Sequence, residues 1–239
     1  MSTLTIERRF RGPARSGNGG YTAGALAERV ARLPAVVEVT LRRPPPLDVA
    51  MSVTPGAVTV LSYDGETVAE ARRADGPLRV VEPVPPAEAM DATSGFAGLT
   101  SHPFPTCFGC GTQRADGDGL RIFAGPVGAG RVAAVWIPHP SLATGDDEPS
   151  RVGVAATWAA LDCTGGWSSD FEGRPAVLGR MTARLEVLPV VGEPHVVMGE
   201  LLGRDGRKTL TASTLYDSDG RVVGRAAHVW IEIDPDRFN

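Results

Sequence analysis

The chain carries the same run of elements twice: a helix of small residues, a β-branched strand, a proline-marked break, and strands joined by an Asp-Gly turn. The first helical segment opens with Asn18-Gly19-Gly20 and the second with Gly153-Val154-Ala155, and the Asp-Gly pairs end at Gly65 and Gly220. An Asp-Gly pair between two apolar runs is a strong signal for a β-hairpin. One helix followed by several antiparallel strands, repeated once, predicts an α+β fold with the helices on one face of a sheet.

The periodicity of apolar residues predicts where the individual strands and helices lie. Strands are predicted over residues 4–10, 36–41, 57–62, 67–73, 119–123, 131–137, 176–188, 195–202, 208–216 and 222–233, and helices over 21–33, 86–92 and 152–163. Gly165 and Gly166 are expected to end the last helix. The stretch 83–117 begins rich in proline and, apart from the short helix over 86–92, shows neither the helical nor the strand period of apolar residues. We therefore expect a first unit over residues 1–82, a connector over 83–117 and a second unit over 118–239.

Composition excludes several classes of function. The net charge of −4 and the pI near 5.6 argue against nucleic acid as a partner. The N-terminal residues lack the apolar region of a signal peptide, and no apolar run approaches the roughly 20 residues of a membrane span. Three cysteines cannot all pair with one another, so a cytoplasmic location is expected.

The start of the first helix carries a specific resemblance. Asn18-Gly19-Gly20 followed by an Ala/Leu helix is similar to the His-Gly-Gly helix start of hotdog acyl-CoA thioesterases, with Asn18 in the place of the usual histidine. The resemblance implies a double hotdog fold, in which each sheet wraps a central helix and the sheets join edge to edge. It also implies a catalytic role at Gly20, whose backbone N–H would polarise the thioester carbonyl. Free N–H groups and the positive end of the helix dipole do stabilise a developing oxyanion.

The second helix supplies an acid where the first does not. In the same families an Asp or Glu lies seven residues after the second glycine, about two helical turns further on. Counting seven from Gly20 lands on Ala27, whereas counting seven from Ala155 lands on Asp162. Asp162 could act as a nucleophile toward the thioester or as a general base for water; the alternative is a helix-capping role near Gly165. The resemblance implies one composite site that combines Gly20 with Asp162.

Further residues are candidates for substrate binding. Tyr21, Trp158 and Trp167 flank the composite site and could shape an acyl pocket, although a role in the core fits them equally, and Gly19 is a further candidate for substrate binding. Arg207 and Lys208, after a turn glycine, resemble the element near which hotdog thioesterases hold the phosphates of coenzyme A. Their alternative is a solvated hairpin end.

The cysteines do not predict a metal site. Cys107 and Cys110 form a Cys-X-X-Cys pair, which is half of a structural zinc site. The remaining cysteine is Cys163, and the four histidines show no paired spacing. We therefore predict no metal and no cofactor. Similar Cys-Phe-X-Cys-Gly stretches followed by Gly-Leu-Arg occur in thioesterase-like hotdog proteins, and here the stretch leads to Leu120-Arg121.

The leading hypothesis is thus hydrolysis of an acyl thioester, with acyl-CoA as the expected partner and substrate. The alternative is a non-catalytic acyl-CoA-binding or lipid-binding protein of the same fold. We expect a monomer, which would already hold two units, or a homodimer. His228, in the middle of an apolar strand, is interpreted as a core residue.

Overall fold

The computed structural model describes residues 2–145 and 148–234. It contains three α-helices: α1 (Gly19–Ala27), α2 (Pro86–Ala92) and α3 (Val154–Trp167). Its strands are β1 (Ser2–Thr5), β2 (Val37–Leu41), β3 (Ala50–Thr54), β4 (Thr59–Tyr63), β5 (Glu66–Arg73), β6 (Gly125–Pro126), β7 (Arg131–Trp136), β8 (Ala143–Thr144), β9 (Arg151–Val152), β10 (Ala176–Leu185), β11 (His195–Asp205), β12 (Lys208–Tyr216) and β13 (Val222–Glu232).

Eleven of these strands form one antiparallel sheet in the order β1-β3-β4-β5-β2-β10-β13-β12-β11-β7-β6, while β8 and β9 pair separately. The strands before α2 occupy one side of the sheet and those after it occupy the other. The two sides join where β2 pairs with β10, with Val37 opposite Ala183 and Thr40 opposite Arg180. The α+β class and the large antiparallel sheet agree with the prediction.

The two long helices pack against each other and against the sheet. α1 contacts β2, β5 and β10, whereas α3 contacts β7 and β10 to β13. All residues of α3 from Ala155 to Trp167 are buried. A helix that is apolar on every face has no surface suited to water, so the composition of α3 explains its central position.

The ends of both helices differ from the sequence prediction. α1 ends at Ala27, and the next N–H groups bond three residues back, from Arg29 to Leu26 O and from Val30 to Ala27 O. This tightening into 3₁₀ geometry is common at helix ends. The prediction of a helix to residue 33 was therefore too long.

α3 runs through the glycines that were expected to stop it. A Cβ on Gly165 would lie 2.6 Å from His228 Nδ1, and one on Gly166 would lie 2.6 Å from Phe171 Cζ. The two glycines make room for neighbouring side chains and do not cap the helix, which continues to Trp167.

The remaining differences fall at the edges of the sheet and in the middle of the chain. The predicted strand 4–10 is split into β1 and a 3₁₀ turn at Arg8–Phe10. The predicted strand 119–123 is not a strand, because the N–H groups of Leu120 and Ile122 donate to Phe108 O and Gly109 O of the preceding loop. β3 was missed, since Ala, Met and Ser dilute its β-propensity. The helix over residues 86–92 is confirmed.

The segment that was expected to be a connector is packed into the core. Phe96 and Phe108 are among the largest fully buried side chains. The Phe96 ring contacts Trp167 of α3 edge-on, with ring centroids 4.6 Å apart.

None of the described helices has the length and apolar composition needed to cross a membrane.

One buried histidine belongs to a polar network in this core. The Trp230 indole N–H donates to Thr211 Oγ1 at 3.0 Å, and Thr211 Oγ1 lies 3.1 Å from His228 Nδ1. Because Thr211 accepts from Trp230, its own hydroxyl hydrogen can donate to Nδ1, which requires a neutral imidazole. Burial lowers the pKa of His228 to about 4, so His228 acts in the core, as its strand context suggested.

We expect Gly199→Ala to destabilise the protein. A Cβ at this position of β11 would lie 2.2 Å from the Thr164 carbonyl oxygen of α3, and overpacking of this kind costs roughly 1–3 kcal/mol. Gly203→Ala in the same strand is the matched control, since nothing lies within 4 Å of its Cβ. Urea unfolding should show a lower midpoint for the first variant alone. Equal midpoints would contradict the close packing of α3 on β11.

We also expect the free energy of unfolding to fall as the pH drops from about 6.5 to about 4. In that window the unfolded chain binds a proton at His228 that the folded chain does not bind. The loss attributable to His228 is on the order of 3 kcal/mol. Denaturant unfolding across this pH range should give a flatter profile for His228→Gln than for the wild type. Parallel profiles would contradict a neutral, buried imidazole.

Candidate active site

The N-terminal end of α1 meets α3 at Gly20 and Asp162. The Gly20 backbone N–H donates to Asp162 Oδ2 at 2.9 Å, across 142 positions of sequence. The first N–H groups of a helix have no acceptor within the helix and lie at the positive end of its dipole. A carboxyl group from one central helix therefore satisfies the N-terminus of the other, and the two residues selected by seven-residue counting are in contact.

Glycine at position 20 is required by this close approach. A Cβ there would lie 2.4 Å from Asp162 Cβ. One turn further along α1, a Cβ on Gly24 would lie 2.8 Å from both Ala155 Cα and Trp158 Cβ. The small residues of α1 thus let the two helices approach almost backbone to backbone.

Asn18 caps α1 and also reaches the cysteines. Its Oδ1 accepts from the Tyr21 N–H at 2.8 Å. Its Nδ2 lies 3.6 Å from Cys107 Sγ and 3.9 Å from Cys163 Sγ. The side chain is 2 % exposed, so the amide is oriented from both ends in a buried environment.

One N–H of the first turn of α1 has no acceptor. Gly20 donates to Asp162, Tyr21 donates to Asn18 Oδ1, and Thr22 donates to Asn18 O. Within residues 2–145 and 148–234, Gly19 N–H shows no such bond. Gly19 is half-buried and borders a cavity, so its N–H is the donor available to a ligand.

Asp162 is held on one oxygen only. Oδ2 accepts from Gly20, whereas Oδ1 is buried and has no hydrogen-bond partner among the described residues. Burial raises the pKa of Asp162 to about 8, against the opposing effects of the Gly20 N–H and the Asn18 side chain. A buried carboxyl oxygen without a partner is costly in a purely structural role, which points to a group that acts on a ligand.

These groups border a cavity of about 770 Å³. That volume falls in the usual range for ligand sites, which are mostly apolar with a few placed polar groups. Asn18, Gly19 and Asp162 contribute the polar part of one wall. The apolar lining includes Leu41, Phe104, Trp167, Phe171, Leu178 and Trp230.

Three arginines lie at the edge of the same cavity. Arg207 is exposed and donates through Nη2 to Glu232 O at 2.8 Å. Arg42 and Arg43 also line the cavity and form ion pairs with Glu70 and Glu66. Pairs of this exposed kind are weak, so they can be exchanged for a ligand. Lys208 is exposed but does not line the cavity.

Tyr21 and Trp158 lie away from this cavity. The Tyr21 ring stacks on Phe10 at a centroid distance of 3.9 Å. Trp158 packs against Gly24 and borders a second, smaller cavity of about 230 Å³ together with Ala27 and Glu28. The structure therefore gives both residues packing roles and does not place them where they could shape the larger cavity.

The three cysteines converge at the larger cavity, which the spacing of the sequence did not reveal. All three are buried, their sulfur atoms lie within 4.8 Å of one another, and Cys107 Sγ is 3.7 Å from Cys163 Sγ. Hydrogen bonds from the Cys110 and Cys163 thiols lower the pKa of Cys107, although burial acts in the opposite direction. The one signal in the sequence is that Cys163 directly follows Asp162.

No protein-family model matches the sequence, and no curated protein matches it. Solved structures do match, over nearly the whole chain. A conserved protein of unknown function with a hot dog fold from Alicyclobacillus acidocaldarius has a TM-score of 0.63 at 12% identity, covering 98% of this chain and 93% of its own.

Two further neighbours carry thioesterase descriptions. A putative thioesterase from Novosphingobium aromaticivorans has a TM-score of 0.62 at 15% identity, covering 97% of this chain and 95% of its own. A tesB protein from Mycobacterium avium subspecies paratuberculosis has a TM-score of 0.56 at 15% identity, covering 93% and 89%. At these identities the likeness shows the hotdog fold, which confirms that part of the prediction. The duplication into two hotdog units stays a prediction.

Proposed function

We propose that the chain is a fused pair of hotdog units that hydrolyses acyl thioesters, acyl-CoA in particular, at one site between α1 and α3. The observation that carries the proposal is the contact between Gly20 and Asp162 at the wall of a large, mostly apolar cavity. A helix N-terminus and a buried carboxyl group are suited to stabilising a carbonyl oxygen and to attacking its carbon.

The arrangement of the sheet supports two fused units. α1 packs mainly on strands from the first side of the sheet and also contacts β10, whereas α3 packs on strands from the second side. The two sides share the β2–β10 pair, which is an edge-to-edge junction. We take residues 1–82 and 118–239 as the units and 83–117 as the connector, although the connector also contributes residues to the cavity.

A single active site follows from how the two ends of the helix pair differ. At one end Gly20 meets Asp162 beside the cavity of about 770 Å³. At the other end Ala27 stands where a carboxyl group would be needed, beside a cavity of about 230 Å³. In a fused chain one site can be kept while the other is lost. The first unit then has to supply only the helix N-terminus, and the second unit has to supply only the acid.

The proposed chemistry begins with the thioester carbonyl at the start of α1. Its oxygen accepts from the Gly19 N–H, which has no other acceptor in the described part of the chain. The Gly20 N–H positions Asp162, so the role first expected for Gly20 passes to its neighbour. Asn18 fixes the first turn of α1 by accepting from Tyr21.

Asp162 then acts in one of two ways. As a nucleophile, its deprotonated carboxylate, which the pKa of about 8 makes the minor form at pH 7, attacks the carbonyl carbon. The C–S bond breaks, CoA leaves as thiolate, and water hydrolyses the mixed anhydride. As a general base, it accepts a proton from water, whose oxygen attacks the carbonyl carbon while the same C–S bond breaks. Both routes use the Oδ1 atom that has no partner among the described residues.

A second candidate function is acyl-CoA binding without turnover. It is favoured by one observation: the Gly20 N–H, which would bind the carbonyl in the family arrangement, already donates to Asp162. A ligand could then occupy the cavity without meeting a free catalytic pair.

We expect Asp162→Asn to lower kcat for acyl-CoA hydrolysis by at least about 100-fold. The asparagine keeps an oxygen that can accept from Gly20, so the fold should be preserved. Glu28→Gln is the matched control, because Glu28 borders only the smaller cavity. Chromatographic detection of free CoA over a panel of acyl chain lengths gives the rates. Wild-type turnover in Asp162→Asn would remove this residue from the mechanism.

The same panel separates the two candidate functions. Measurable binding of acyl-CoA by calorimetry, with no turnover at any chain length in the wild type, would favour the binding protein. Turnover that is lost in Asp162→Asn and kept in Glu28→Gln would favour the hydrolase.

We expect Arg207→Ala to raise KM for acyl-CoA by about 10-fold, because a charge-assisted hydrogen bond to phosphate contributes about 1.5–3 kcal/mol. Lys208→Ala, the neighbouring cation outside the cavity lining, should leave KM unchanged. Pantetheine thioesters, which lack the nucleotide phosphates, should show no difference between the variants. An equal rise in KM with pantetheine thioesters would contradict phosphate binding at Arg207.

A further inference from the structure

We propose that Cys107, Cys110 and Cys163 form a binding site for one thiophilic divalent metal ion, Zn²⁺ in the first place. The proposal goes beyond the hydrolase and does not depend on it. Three sulfur ligands leave one position of a tetrahedral ion for water or for a group in the cavity, as in zinc sites that act on a substrate.

The spacing of the sulfur atoms fits a metal ion. Zinc bonds to thiolate sulfur at about 2.3 Å in tetrahedral geometry, which separates the sulfurs by about 3.8 Å. Cys107 Sγ and Cys163 Sγ are 3.7 Å apart, and all three sulfurs lie within 4.8 Å of one another. A small inward movement of Cys110 would complete the triangle.

The loop that carries two of the cysteines is shaped to reach the third. A Cβ on Gly109 would lie 2.6 Å from Cys163 Sγ, so glycine between the two loop cysteines allows the approach. The turn closes with a hydrogen bond from Gly111 N–H to Cys107 O at 2.8 Å. Phe108 is fully buried and anchors the loop in the core. Ligands held on such a rigid frame need little reorganisation to bind a metal ion.

The side chain of Asn18 is placed to stabilise the deprotonated form of two of the cysteines. The Asn18 amide nitrogen lies 3.6 Å from Cys107 Sγ and 3.9 Å from Cys163 Sγ. Donors of this kind stabilise and orient metal ligands from the outer shell. Its amide oxygen is fixed by the Tyr21 N–H, which leaves the NH₂ group directed at the sulfurs.

The protons and charges of the binding step balance simply. The divalent ion replaces the protons of three thiols, giving a complex of charge −1 and three released protons, and no oxidant is needed.

His102 also borders the cavity but is not arranged as the fourth ligand. Its Nε2 is 3.1 Å from Cys110 O, and its Nδ1 accepts from the Phe104 N–H at 3.0 Å.

The test is a titration of the reduced, full-length protein with Co²⁺ under anaerobic conditions. We expect one equivalent of Co²⁺ to bind with thiolate-to-cobalt charge-transfer absorption and the visible bands of a tetrahedral ion, and one equivalent of Zn²⁺ to remove both. Cys110→Ser and Cys163→Ser should each weaken binding by at least about 100-fold, since the loss of an outer-shell partner alone costs about 10–100-fold. His102→Gln is the control and should bind as the wild type.

Two results would overturn the site. One is the absence of charge-transfer absorption in wild-type protein whose three thiols all react after unfolding, since the ligands would then be reduced and still not bind. The other is unchanged Co²⁺ affinity in both serine variants, which would place the ion elsewhere. Circular dichroism shows whether each variant is folded. If a variant is unfolded, the test rests on the Co²⁺ titration of the wild-type protein alone.

Discussion

The hydrogen bond from Gly20 N–H to Asp162 Oδ2 joins the two central helices, and the rest of the site is arranged around it. It can form only because position 20 has no side chain, since a Cβ would overlap Asp162. In this contact a buried carboxyl group, instead of water, accepts a hydrogen bond from the N-terminal end of α1. It leaves two polar groups without partners in the described residues, the Gly19 N–H and Asp162 Oδ1, and both belong to residues that line one cavity.

The same contact explains why the two halves of the chain need not be equivalent. In our proposal each half keeps one part of a site: the first keeps the helix N-terminus and the second keeps the acid. The sheet remains continuous through the β2–β10 pair regardless of which site survives. The loop with Cys107 and Cys110 then occupies the surviving end, where it covers α3 and contributes to the cavity wall. Hydrolysis, binding and metal coordination would thus share one end of the helix pair.

Much of the fold could be predicted from local patterns, because alternating apolar residues and Asp-Gly turns act over short distances. The pairing of Gly20 with Asp162 came from the resemblance to hotdog thioesterases, whose seven-residue spacing from glycine to acid selects Asp162 in the second helix. The end of α3 could not be predicted, because Gly165 and Gly166 are set by the side chains of His228 and Phe171 from other elements. Local sequence cannot distinguish a packing glycine from a capping one.

The cysteine cluster was missed for the same reason. Cys107 and Cys163 are 56 positions apart and meet only because the loop folds back over α3. Tyr21 and Trp158 were placed near the site by their sequence neighbourhood, but rotation about the helix axis directs both away from the larger cavity. Short-range patterns therefore predicted most of the strands, whereas the positions of Tyr21, Trp158 and the cysteines depend on contacts with other elements.

The central claim is that a thioester carbonyl is held between the start of α1 and Asp162. The most direct measurement is a crystal structure with a CoA ketone, in which a methylene group replaces the thioester sulfur and the ligand cannot be hydrolysed. The account predicts the ketone oxygen within about 3 Å of Gly19 N and the carbonyl carbon within reach of Asp162 Oδ1. A ketone bound beside Ala27 and Trp158, or outside both cavities, would contradict it.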